Sequence, residues 1–197
     1  MNYGNEVKEP ALKYNYTSAE EYLEMERASQ EKHELHHGVI ITMAGASLSH
    51  NRIVSNLIGN INPFLKGKSC SVFPVDLRTK VLTKDSFTYP DVTIVCGEPE
   101  LMDDHFDTLL NPSVIIEVLS PSTEEHDKGF KFFYYMQIPS LKEYIMISST
   151  GVNIHISRKQ HDTSWKFEEI TDPVSSLFIN TIEQNIPVND IYDEVKF

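Results

Sequence analysis

Two acidic residues stand in or beside strongly apolar stretches of this sequence. Asp91 follows Pro90 and leads into Val-Thr-Ile-Val, and Glu117 interrupts the apolar run of residues 114–119. A buried, ionised carboxylate without a partner is costly, so Glu117 needs a cation or hydrogen-bond donors. Either a basic side chain pairs with it, or Glu117 and Asp91 hold a metal ion together at the ends of adjacent strands. Spacing alone leaves both alternatives open.

The metal alternative implies a definite chemistry. Carboxylate oxygens without thiolate ligands favour magnesium or manganese over zinc. Such a metal activates a water molecule and offsets the charge that develops on a phosphodiester during hydrolysis. A nearby ammonium stabilises the same charge, and Lys128 and Lys131 both follow Glu117 closely enough to return to it.

Three further residues are secondary candidates for the same site. Glu34 is either an additional metal carboxylate or half of an ion pair, and the two alternatives have equal weight. Asp76 is a candidate ligand or the cap of a following hairpin. His50, at a predicted helix start, is a candidate catalyst or a capping residue.

A zinc site formed by His33, His36 and His37 is the less favoured reading of the histidines. No cysteine accompanies them, and the alternation of a strand places neighbouring side chains on opposite faces.

The predicted elements bring these residues together in one mixed sheet. Thr17 and Glu20 match a capping box, which predicts a helix to about Ala28. The alternation around His37-Gly38 predicts a hairpin over residues 33–43, and apolar residues at helical spacing predict a helix from Ser49 to about Gly67. Further strands are predicted at 71–75, 77–82, 89–96, 114–119, 144–148, 152–157 and 165–170, with a helix at 127–136 and a short turn or helix near Ile191. The fold class is therefore α/β (α+β), with helices flanking a central mixed sheet.

Length and composition favour one domain. The chain has 197 residues, of which 40% are hydrophobic and 23% charged, as in ordinary globular proteins. Residues 1–14 are expected to form a flexible arm and residues 15–197 a single domain. No apolar run approaches the length that spans a membrane. Cys70 and Cys96 form no CxxC motif, so neither a disulfide nor a thiolate zinc site is expected, and a cytoplasmic location is favoured.

The charge is unevenly distributed. The formal net charge of −12 argues against a protein that coats nucleic acid. Residues 50–84, however, carry six basic side chains and one acid, a balance of +5, while the remainder carries −17. This permits one DNA-facing surface, although scattered solvated charges explain the pattern about as well. The basic residues are Arg52, Lys66, Lys68, Arg78, Lys80 and Lys84.

An ordered set of motifs resembles a known family, the Uma-type restriction endonucleases of the PD-(D/E)XK nuclease superfamily. The resemblance covers about residues 16–192. The motifs that carry it are Tyr16-Thr-x-x-Glu20-Glu-Tyr22-Leu, His33-Glu34-Leu-x-x-Gly38, Met43-Ala-Gly45, Val75-Asp76-Leu-Arg78, Tyr89-Pro-Asp91-Val, Glu117-Val-Leu-Ser-Pro-Ser-Thr123, Asp127-x-Gly-x-Lys131 and Ile138-Pro-x-Leu-x-Glu143-Tyr144.

The resemblance implies a restriction-endonuclease-like core and magnesium- or manganese-dependent cleavage of DNA. Asp91 and Glu117 match the family's two metal-binding acids. Leu119 stands where the superfamily has its lysine, and Lys131 matches a lysine that family members carry on the next helix. A homodimer is expected because cutting both strands needs two sites. The alternative is a nuclease-fold binding module in which the displaced lysine no longer supports chemistry.

Overall fold

The computed structural model describes residues 16–81, 86–120, 129 and 131–197. The expected arm at residues 1–14, Lys84 and Lys128 lie outside these residues. The helices within the described chain are α1 (Ala19–Ala28), α2 (Leu48–Leu65), α3 (Phe132–Tyr135) and α4 (Val188–Ile191), with a 3₁₀ turn at Asn180–Ile182.

Strands make up most of the remaining regular structure. Their bounds are β1 (His33–His36), β2 (Val39–Thr42), β3 (Cys70–Pro74), β4 (Arg78–Val81), β5 (Ser86–Thr88), β6 (Val92–Cys96), β7 (Thr108–Leu109), β8 (Val114–Leu119), β9 (Glu143–Ser148), β10 (Ile154–Lys159), β11 (Trp165–Ile170), β12 (Ser176–Ile179) and β13 (Gln184–Pro187).

The strands form two larger sheets and a hairpin. One sheet has the order β2-β1-β5-β4-β7 and the other the order β11-β10-β9-β8-β6-β3, while β12 pairs with β13. Both sheets are mixed, because β4 and β7 run parallel in the first and β8 and β9 run parallel in the second. The expected mixed α/β architecture with flanking helices is confirmed. The short strands β5, β7, β12 and β13 are additions that the sequence patterns did not predict.

The helices are fixed by caps and by apolar stripes. The cap of α1 is Ser18, whose hydroxyl accepts from the Glu21 amide while the Glu21 carboxylate accepts from the Ser18 amide. The predicted capping box was therefore wrong by one residue. In α2, four buried residues at intervals of four pack against β6 and β8, and burying each stabilises the fold by about 1.5–3 kcal/mol. They are Ile53, Leu57, Ile61 and Leu65.

A disulfide joins Cys70 of β3 to Cys96 of β6. The two residues are direct partners in the antiparallel register of these strands. The expectation that the cysteines would not pair was wrong, because it considered local spacing only, whereas strand pairing brings together residues that are 26 apart. The cysteines therefore no longer support the inference of a reducing compartment.

None of the helices within the described residues is long and apolar enough to cross a membrane.

Candidate active site

Asp91 and Glu117 face each other across two neighbouring strands. In the antiparallel register Val92 pairs with Ile116, so the residue before β6 falls opposite Glu117. The Asp91 amide donates to Glu117 Oε2 at 3.3 Å. Both residues are buried, with 9% exposure at Asp91 and 3% at Glu117. The structure thus brings the two predicted acids together.

Asp91 is held by donors on both of its oxygens. Oδ2 accepts from the Val118 amide at 2.7 Å, and Oδ1 lies 3.0 Å from Nε2 of His50. His50 is placed by the first turn of α2, where its amide donates to the hydroxyl of the cap residue Ser47. These contacts fix the orientation of the Asp91 carboxylate.

Glu117 is approached from above the sheet by the turn that leads into α3. Lys131 Nζ lies 3.3 Å from Glu117 Oε1, and the Tyr135 hydroxyl donates to the same oxygen at 2.9 Å. The two residues are four apart, so one helical face carries both donors. Burial and the negative charge of Glu117 hold the pKa of Tyr135 well above its usual value, which keeps this hydroxyl protonated.

Glu34 enters the site from the other large sheet. Its Oε1 lies 3.1 Å from Lys131 Nζ and accepts from the Tyr89 amide at 3.0 Å. Its Oε2 lies 2.9 Å from Nε2 of His36. Burial raises the pKa of Glu34, but Lys131, His36 and the Tyr89 amide outweigh that effect and lower the pKa to about 2. Lys131 therefore bridges the two sheets through a pair of buried carboxylates.

These groups line a shared cleft of about 300 Å³. One wall carries Glu34, His50, Asp91, Glu117, Ser120 and Lys131, and the other is the chain from Ile41 to Ala46. This volume lies at the lower end of the range for small-molecule sites.

The charges of the cleft favour a cation. Three carboxyl groups, those of Glu34, Asp91 and Glu117, meet one ammonium, so this cluster has a formal charge of −2. In the part of the chain that the structure describes, no group of three or more His, Cys, Asp or Glu side chains is arranged to hold a metal by itself. Two facing carboxylates nevertheless fit magnesium, which is commonly bound by one or two carboxylates and keeps several of its waters.

The other candidate residues lie elsewhere. Asp76 is at the surface, with 78% side-chain exposure, and pairs with Lys32. Among the histidines, His33 bonds Glu26 and His36 bonds Glu34, while His37 packs edge-on against Tyr134. The three imidazoles therefore have different partners.

The basic residues of the proposed DNA surface divide into two groups. Arg78 is 2% exposed, and its guanidinium contacts Asp107, Tyr89 and Thr108. It holds β4 to β7 and is buried, so it does not belong to the exposed basic surface. Arg52, Lys66 and Lys68 are exposed and Lys80 is partly so, although Arg52 also pairs with Glu194 at 3.2 Å.

Tyr135 is a site residue that the sequence patterns did not identify. It lies in the run Phe-Phe-Tyr-Tyr, where four adjacent aromatic residues give no sign of which one turns toward Glu117. Its spacing of four from Lys131 is the signal that was present, since a lysine returning to the site on a helix brings the residue one turn later with it.

Comparisons with known proteins identify the family and the fold. The family model for Uma2, described as "Putative restriction endonuclease", matches residues 19–188. Two uncharacterized proteins of Synechocystis sp. (strain ATCC 27184 / PCC 6803 / Kazusa) are each 36% identical. One, slr1290, aligns over 156 residues, which are 79% of this chain and 81% of that protein. The other, sll1609, aligns over 153 residues, which are 78% and 86%.

A solved structure shares the fold. It is the crystal structure of "a putative nuclease belonging to DUF820" from Anabaena variabilis ATCC 29413. The two structures superpose with a TM-score of 0.76 over 91% of this chain and 99% of the other, at 17% sequence identity. Identity at this level supports the similarity of fold and nothing finer.

Proposed function

Because the chain belongs to the Uma2 restriction endonuclease family, we propose that it is a magnesium-dependent endonuclease that hydrolyses DNA phosphodiester bonds. One observation carries the proposal. Asp91 and Glu117 are buried opposite each other in a cleft whose described carboxylates outnumber its ammonium. A divalent cation would stabilise such a cluster, because it offsets the excess of negative charge.

Each residue has a definite task in this proposal. Asp91 and Glu117 hold the magnesium or manganese ion. When bound, the ion supplies the Lewis acidity that activates water and offsets charge on the phosphate. His50 and the Val118 amide orient Asp91, and Tyr135 orients Glu117.

Lys131 is the proposed source of the catalytic positive charge. Its Nζ lies at the cleft surface between Glu34 and Glu117, where it can donate to a phosphate oxygen and stabilise the charge that develops in the transition state. A Lys131 side chain directed away from both carboxylates would favour an inactive binding module, whereas Nζ lies beside both of them. The contact at 3.3 Å therefore favours the enzyme over that alternative.

The DNA and the assembly are part of the same proposal. Phosphates are expected to lie on the exposed residues Arg52, Lys66 and Lys68 and the partly exposed Lys80, because the remainder of the chain is strongly negative. A homodimer supplies the second site that cleavage of both strands requires.

The experiment combines metal binding with cleavage. We expect Glu117→Gln to lose manganese binding in calorimetry while its circular dichroism spectrum stays native, because the amide offers a weaker ligand of the same shape. Lys131→Ala is expected to bind manganese and to cleave DNA roughly a hundredfold more slowly, as loss of a transition-state donor does.

Lys128→Ala is the matched control, since it removes a lysine three positions away, and it should stay within a few-fold of the wild type. Full manganese affinity in Glu117→Gln would remove the metal site from the proposal. An active Lys131→Ala beside an inactive Lys128→Ala would transfer the catalytic role to Lys128.

A further inference from the structure

Residues 39–48 form an exposed apolar segment, which we call the lip. Its sequence, VIITMAGASL, contains no charged residue, in a chain of which 23% is charged. All of its residues except the partly buried Met43 are exposed. Val39 is 46% exposed and Leu48 79% exposed. A contiguous exposed apolar segment of this kind marks a place where another surface binds.

The first half of the lip is strand β2, which lies at the edge of its sheet. Within the described residues, β1 is the one strand that pairs with it. In the described part of the chain, the opposite edge of β2 therefore presents backbone donors and acceptors that a further strand would satisfy. Proteins usually protect such edges with lysine, proline or a bulge, and Val-Ile-Ile-Thr has none of these.

We propose that the lip is the homodimer interface, with β2 of one copy pairing antiparallel with β2 of a second copy about a two-fold axis. A partner that binds the lip must offer an open strand edge together with an uncharged apolar surface. The lip of a second copy of this chain offers both. A two-fold axis places the same patch on both sides, so the surface needs to complement only itself.

Charge selects a second copy over nucleic acid. Each chain carries a formal charge of −12, so two copies repel each other over most of their surfaces. The lip is a place where they approach without like charges meeting. Nucleic acid would need cations to neutralise its phosphates, and the lip supplies none.

The position of the lip connects the dimer to the cleft. Residues Ile41 to Ala46 form one wall of the cleft that holds Asp91 and Glu117. Pairing through β2 therefore brings two clefts to opposite sides of one axis, close to the contact itself. The role of the paired clefts in cleavage rests on the proposed nuclease function. The β2–β2 contact itself does not depend on that function.

The size of the lip sets the expected strength of the dimer. A segment of this length is at the small end of specific interfaces, so we expect a dissociation constant on the order of micromolar. Because the two copies carry like charges, added salt should screen their repulsion and tighten the dimer. An interface built on ion pairs would show the opposite dependence on salt.

Sedimentation velocity between about 1 and 100 μM tests the proposal. We expect a concentration-dependent dimer whose dissociation constant rises at least tenfold in Val39→Lys, because the lysine brings a charge to the apolar contact on each copy. The matched control is Val174→Lys, which makes the same change at a residue that is 81% exposed outside the lip. It should leave the constant within twofold.

A second measurement covers the case in which Val39→Lys fails to fold. In hydrogen exchange of the wild type, the amides of Ile40 and Thr42, which alternate with those directed at β1, should become more protected as the concentration rises. A monomer across the whole range, or a dimer that Val39→Lys does not weaken, would overturn the proposal. Glu117→Gln should dimerise like the wild type, so a failed dimer and a failed metal site are separate outcomes.

Discussion

Replacing Lys131 with methionine would test how far the ammonium supports the fold as well as the chemistry. Methionine keeps most of the length and volume of the side chain and removes its charge. Glu34 and Glu117 would then lose the cation that lies 3.1 Å and 3.3 Å from them. Both carboxylates are nearly inaccessible to water, so solvent cannot compensate for the loss.

The pKa of Glu34 gives the magnitude of the effect. Burial raises this pKa, and Lys131 is the largest influence that opposes it, so the folded value is about 2 against an ordinary value of 4.5. A difference of this size corresponds to about 3 kcal/mol of folding free energy. Because the folded pKa lies below the unfolded one, this stability is present above about pH 4.5 and is lost as the pH falls toward 2.

Lys131 is the largest of the groups that lower this pKa, so we expect Lys131→Met to reduce the free energy of unfolding by an amount on the order of 3 kcal/mol at pH 7. The reduction should be clearly smaller at pH 3, where Glu34 is largely protonated in the unfolded chain. Urea unfolding at the two pH values, in the presence of a chelator, measures this difference. The matched control is Tyr135→Phe, which removes the other donor to Glu117 Oε1 without removing a charge. Its cost should be about 1 kcal/mol at both pH values, since the pKa of Tyr135 lies well above the range tested. An equal loss for Lys131→Met at pH 7 and pH 3 would refute the electrostatic reasoning.

Two further predictions concern the basic surface and the disulfide. The triple change of Lys66, Lys68 and Lys80 to alanine should weaken DNA binding and lower the slope of log affinity against log salt by about 0.9 for each lost phosphate contact, as measured by fluorescence anisotropy. As a control, the same change at Lys142, Lys159 and Lys166 removes equal charge elsewhere and should reduce DNA affinity less. Equal losses of affinity in the two triple variants would show that the DNA does not bind at the predicted basic surface. Dithiothreitol should lower the free energy of unfolding by about 2–4 kcal/mol and leave the stability of a Cys70→Ser/Cys96→Ser variant unchanged. Two titratable thiols in the unfolded, unreduced protein would contradict the disulfide.

The sequence predicted the acidic pair of the site because apolar context makes a lone carboxylate conspicuous. The bounds predicted for the strand around Glu117 agree with β8 at both ends, since all six residues of that strand are buried. Asp91 was recognisable from its place after Pro90 and before a second apolar run. Because the two strands pair antiparallel, their register places Asp91 opposite Glu117.

Features that depend on tertiary contacts were not predictable in this way. Two overlapping patterns, Thr17 with Glu20 and Ser18 with Glu21, are equally good capping boxes in the sequence, and the folded helix uses the second. Arg78 is indistinguishable in sequence from a surface arginine, and its burial depends on Asp107 and Tyr89, which come from other parts of the chain. The disulfide likewise requires knowledge that β3 pairs with β6.

The position of the lysine follows from the two faces of β8. Successive residues of a strand alternate between faces, so Glu117 and Leu119 point to the same side. Leu119 is 2% exposed and belongs to the apolar cluster that packs beneath α3. An ammonium at that position would be desolvated in this apolar cluster, which is costly for a charged group. Lys131 instead enters from the turn above the sheet, where Glu34 and Glu117 both accept its charge. With the lysine at position 131, β8 keeps the apolar Leu119 beneath α3, and the cleft still contains an ammonium.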